Sequence, residues 1–144
     1  MKYVKVEYKY KLREIEVFTL LDMPSPVYGT IHCSKVLYLV GDDDNPNNGQ
    51  MILEPGYASD ASSGPTYDTK SSMRGSFGHD SGYQMLRHNL LHPFREWRAY
   101  FDEHLGIWCK EDGMWHWRAN AWVKAVKKRG FNAASEQKKI YTAP

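Results

Sequence analysis

The chain has 144 residues and a mass of 16.7 kDa, room for one compact domain but not for two substantial cores. Hydrophobic residues at 42% and charged residues at 25% exclude wholesale disorder and fibrous repeats, and no run approaches the roughly 20 apolar residues that cross a bilayer. A net charge of +2 and a pI near 8.5 are too mild for the footprint of a nucleic-acid binder.

The start, MKYVKVEYKYK, alternates and lacks the apolar block of a signal peptide. Val4, Val6, Tyr8, Tyr10 and Leu12 fall on one side with lysines and Glu7 on the other, which predicts a half-buried strand. Ile15 to Leu20 is a second extended run, read as the return arm of a hairpin or as the same strand after a bulge. Thr30 to Val40 is rich in β-branched and aromatic residues, GDDDNPNNG is a loop, and Gln50 to Leu53 is a short strand, so the first third predicts a small antiparallel sheet. The DDDN of that loop lacks the glutamate an EF-hand loop carries at its twelfth position, which leaves a hairpin turn as the simpler reading.

After Glu54 the segment PGYASDASSGPTYDTKSS is dominated by small and turn-forming residues. An irregular connection of that length is either a linker or a functional loop. Beyond Ser71 the period becomes helical. His79, Tyr83, Leu86 and Leu90 share one face of a helix expected to begin near Ser72 and end before Pro93. Pro93 opens a second helix with the stripe Phe94, Trp97, Phe101, Leu105 and Trp108. Asp112 reads as the N-cap of a third, with Trp115, Ala119, Trp122 and Val126 in line and Gly130 as its stop, followed by a polar tail over 132–144. The expected fold class is α+β, a single domain with an antiparallel N-terminal sheet and a three-helix bundle packed against it. Cys33 and Cys109 have no CxxC spacing and read as two packed thiols.

Charge is distributed unevenly. Five basic residues lie in the first 13 positions and six more between Lys124 and Lys139, whereas 41–69 holds six carboxylates and no Lys or Arg. A molecule polarised in this way can dock on a partner of opposite sign. The five Trp suit either a core or an interface.

The cluster with chemistry is GHDSGYQMLR together with Asp102. His79 and Tyr83 are one turn apart on a face that also bears leucines, so the imidazole points to the helix interface. If the next helix returns antiparallel, Asp102, about 60° from Leu105 around the helix, meets His79 or Tyr83. A carboxylate there would orient the ring and leave its other nitrogen to take a proton from water, the minimum of a general-base hydrolase. The same three side chains can equally form a satisfied polar staple in a small core. Asp60, His79, Asp80 and Asp102 are also donors that suit a divalent cation, with zinc, manganese and calcium indistinguishable by spacing. His88 and His92 straddle a helix end and read as solvent-exposed.

The run from EPGYASDASSG through GHDSGYQMLR, RAYFDEHLG and ANAWVKAVKKRG, about residues 54 to 131, resembles a phage- and prophage-associated family, domain of unknown function 1353. The pattern falls on Gly56, Tyr57 and Asp60, then on His79, Asp80 and Tyr83, then on Asp102, and last on Val126 and Gly130. The resemblance implies a phage-encoded protein, in the cytoplasm of an infected bacterium or in the particle, with other phage or host proteins as its partners. The His-Asp-x-x-Tyr string is also similar to the active-site helix of secreted phospholipases. That similarity implies His79 as base, Asp102 as its orienter, Tyr83 as support and Asp80 as a metal ligand; in the hydrolase reading a divalent cation is held at Asp80 and, from the residues' own donor chemistry, Asp60. Those enzymes carry a glycine-rich calcium loop and many disulfides, and this chain has neither. The expected functions are therefore a small hydrolase, a non-catalytic tail or virion component, or an early protein that inhibits a host defence enzyme.

Overall fold

The computed structural model describes residues 2–6, 9–59 and 70–140. The chain divides into two units, Met1–Asp60 and Ala61–Pro144. The first is all β and the second all α, in line with an α+β class.

In the first unit the opening alternation is two strands, not one. β1 (Tyr3–Val6) and β2 (Lys9–Leu12) pair antiparallel with Tyr3 opposite Leu12 and Val6 opposite Lys9. Cross-strand partners share a face, so the reversal puts Val4 on the side opposite Tyr10 and Leu12. Tyr3 and Tyr10 meet edge to face, ring centroids 5.4 Å apart, and Leu12 is buried. No Gly or Asn marks this reversal in the sequence, which is why the run reads as a single strand.

The second extended run is neither a return arm nor a continuation. β3 (Glu16–Leu20) leaves β2 and joins another sheet. Thr30 to Val40 splits into β4 (Thr30–His32) and β5 (Leu37–Gly41), followed by β6 (Gly49–Leu53). The order of this sheet is β3-β6-β5-β4, all antiparallel. Phe18, Met51 and Leu39 form one cross-strand row on its buried face, beside Leu20, Leu37 and Leu53, each fully sealed. β7 (Ala58–Ser59) pairs with β2 and completes the smaller sheet. The acidic loop between β5 and β6 is a hairpin connection closed by its own side chains: Asp44 N–H donates to Asp42 Oδ1 and Asn47 N–H to Asn45 Oδ1. At Gly41 a Cβ would stand 1.8 Å from the Val27 carbonyl oxygen, so only glycine lets that backbone pass.

The second unit is three helices: α1 (Lys70–Arg87), α2 (Phe94–Glu111) and α3 (His116–Ile140). α1 stops earlier than expected, and Leu90 lies outside it. Asn89 adopts a left-handed φ of 61°, with Leu90 N–H donating to Met85 O and Asn89 N–H to Leu86 O, a Schellman ending. α2 ends in the same way. Gly113 takes φ 96°, Met114 N–H reaches Cys109 O and Gly113 N–H reaches Lys110 O, so Asp112 caps the C-terminus of α2 and does not start α3. Trp115, expected in the buried stripe of α3, precedes the helix and is exposed. α3 passes through Gly130, where a helix-interior glycine costs about 1 kcal/mol and the next nine residues include good helix formers.

α1 and α2 approach closely because α1 carries glycine at the crossing. A Cβ on Gly75 would lie 2.7 Å from Cys109 Sγ, and one on Gly82 would lie 2.5 Å from the Phe101 ring. Arg74 and Glu111 pair at 3.2 Å across the far end. Leu105, Cys109, Met114, Ala119 and Trp122 join α2 to α3, with Lys127 paired to Glu103 above them. Among the described residues no helix is long and apolar enough to cross a membrane.

Candidate functional site

The antiparallel return of α2 against α1 brings three of the sequence-predicted residues together. His79 and Tyr83 stand one turn apart on α1, and Asp102 faces them from the middle of α2. His79 Nε2 lies 2.8 Å from Asp102 Oδ1, and Tyr83 donates its hydroxyl hydrogen to the same oxygen at 2.5 Å. A carboxylate oxygen accepts, so the Nε2 hydrogen is the one engaged and the ring's free lone pair belongs to Nδ1. The two rings also lie against each other, centroids 4.2 Å apart.

Exposure separates the roles. The Asp102 side chain is 1% exposed and the His79 side chain 14%, so the acid is sealed while the imidazole keeps an edge toward solvent. Burial, and after it the negative charge of Asp102, raises the Tyr83 phenol above its ordinary value, so that it stays protonated and acts as a donor.

A fourth residue was not foreseen from the sequence. Arg98, one turn before Asp102 on α2, brings Nη1 to 3.7 Å from Asp102 Oδ2, which is an ion-pair distance but too long for a hydrogen bond. Among the described residues Asp102 Oδ2 has no hydrogen-bond partner, and neither do Arg98 Nε and Nη1. The guanidinium therefore compensates the buried charge through space. The i, i+4 spacing of Arg98 and Asp102 is the sequence signal that reveals it.

The remaining candidates fall elsewhere. Asp80 follows His79 on α1 and is half-buried. Asp60 lies outside the described residues, and among those described no group of three His, Cys, Asp or Glu side chains is placed to hold a metal ion. His88 and His92 are exposed. Cys109 is fully buried, and burial pushes its thiol up to about 12, which removes it as a nucleophile. His104, on α2, places Nδ1 2.8 Å from Tyr100 O and stacks on the Tyr100 ring; burial lowers its affinity for a proton.

The arrangement can do one thing chemically: hold an imidazole in a fixed tautomer and orientation against a buried carboxylate. No family model matches the sequence, and it matches no curated protein and no solved structure.

Proposed function

We propose that this chain is a small, phage-encoded hydrolase in which His79 takes a proton from the attacking water. Asp102 and Tyr83 act as positioning residues and Arg98 balances the buried charge. The observation that supports it most is the shared oxygen. Asp102 Oδ1 holds both His79 Nε2 and the Tyr83 hydroxyl, while the imidazole, unlike the sealed carboxylate, keeps a solvent edge. Water reaching Nδ1 would give up its hydrogen to that nitrogen as its oxygen attacks an acyl carbon. The imidazolium then returns the proton to the leaving group. The resemblance to the phospholipase helix adds Asp80 as a ligand of a divalent cation, with Asp60 as a second candidate donor.

The test is hydrolysis of ester, amide and cell-wall substrates by the purified chain. Wild type turns over at least one of them, His79→Ala does not, and circular dichroism and the thermal midpoint of the variant stay close to wild type. Absence of turnover on the whole panel, or a His79→Ala chain that unfolds, would leave the cluster as a polar staple.

A second reading is a non-catalytic component of the phage particle or an inhibitor of a host enzyme. Trp115 and Trp117 favour it, being 71% and 66% exposed at the start of α3, where large aromatics serve as interface anchors. Its test is the protein content of purified particles and of complexes isolated from infected cells, with a named partner identified in one of them.

A further inference from the structure

α3 presents two faces of different chemistry. Ala119 and Trp122 point into the bundle. Trp117, Ala121, Lys124 and Lys128, at i, i+4, i+7 and i+11, are all exposed and line a single stripe on the opposite side, about 16 Å long. Trp115 stands just before the helix, its ring centroid 6.2 Å from that of Trp117 with the planes tilted by 53°. Lys127 is engaged by Glu103, but among the described residues Lys124 and Lys128 form no ion pair. From His116 to Ser135 the sequence of α3 contains five Lys and Arg and no carboxylate.

We propose that this stripe docks the protein on an anionic phospholipid surface. The proposal is independent of the His79 chemistry. Indole rings belong at the headgroup level, where one edge is wet and the body apolar, and lysines beside them are drawn to the negative surface. A single stripe along one helix face can meet a plane over its length. The tilt between the two indoles does not provide the parallel platforms on which successive nucleotide bases stack. Binding of this kind needs no spanning segment.

The experiment uses the full chain with vesicles of phosphatidylcholine alone and of phosphatidylcholine mixed with phosphatidylglycerol, read by co-sedimentation and by Trp emission. The expected result is binding to the mixed vesicles only, a blue shift on binding, and release at high salt. Lys124→Gln with Lys128→Gln lowers the partition coefficient roughly 30-fold, from about fivefold for each lysine. Trp115→Ala with Trp117→Ala removes the blue shift. Both pairs keep the wild-type circular dichroism, because the four side chains are exposed. The proposal is overturned if mixed vesicles do not bind at low salt or if neither double variant weakens binding. It is also overturned if a single-stranded oligonucleotide binds through these residues while vesicles do not.

Discussion

Gly82 on α1 lies flat against the ring of Phe101 on α2, so close that a Cβ at position 82 would come within 2.5 Å of two ring carbons. Phe101 is fully buried and has no room to retreat. Gly82→Ala gains about 1 kcal/mol of helix propensity but forces the helices apart, an overpacking cost of about 1 to 3 kcal/mol. A net loss is expected in urea unfolding, partly recovered when Phe101 is shortened to Leu. If alanine stabilises the chain, the crossing is looser than described.

Trp122 holds α3 to α2 and is nearly sealed, yet among the described residues its indole N–H has no hydrogen-bond partner. Trp122→Ala should cost about 3 to 5 kcal/mol. Trp122→Phe should cost much less than its lost volume suggests, since it also deletes an unsatisfied donor. Chemical denaturation of both variants checks the pair, and equal losses would place a partner on that nitrogen.

Alkaline stability should report on Tyr83. The phenol of the unfolded chain ionises near 10, whereas burial and the Asp102 charge hold the folded phenol protonated well above that. The unfolded state therefore releases its proton first. The stabilisation is complete below pH 10 and declines as pH rises past it. Tyr83→Phe should lose about 1.5 to 3 kcal/mol at neutral pH, the worth of a hydrogen bond to a charged group, and should show a shallower alkaline decline. Unfolding free energies of the two proteins between neutral pH and pH 11 make the comparison, and parallel curves would contradict it.

His104 works in the opposite direction. Burial lowers its folded pKa, partly offset by the hydrogen bond to Tyr100 O, so below the ordinary imidazole value near 6.5 the unfolded chain takes up the proton first. Its contribution is present above that pH and is lost as pH falls. His104→Phe keeps a ring to stack on Tyr100 and should reduce the fall in thermal midpoint between pH 7 and 5. An unchanged slope would mean that the imidazole charges without hindrance in the folded protein.

The helical unit was largely legible because burial there follows the period. Trp97, Phe101, Leu105 and Trp108 read as one stripe and are all buried. His79, Tyr83 and Asp102 could be set face to face on paper, because a short connection makes the helices antiparallel and two helix periods then fix which residues meet. Helix ends were harder. Asp112 has the chemistry of an N-cap, but the glycine after it, at position 113, takes the left-handed turn that ends α2, and two readings of one dipeptide pair compete. The strands were least legible. Alternation reports which residues are buried, not where the chain turns back, and the VEYK stretch lacks the turn residues that would have split the first strand in two. The role of Arg98 is not legible in the sequence because a cation on a helix surface reads as solvated, and only the structure seals the carboxylate one turn away.

One acceptor atom of Asp102 answers to two donors on the neighbouring helix. Positions 79 and 83 are consequently not free to drift apart in evolution: a change at either alters what the other is worth, and the two substitutions together should deviate from the sum of their separate effects. Lineages that abandon the imidazole would be expected to relax the phenol as well, a correlated loss that neither residue's exposure alone would suggest.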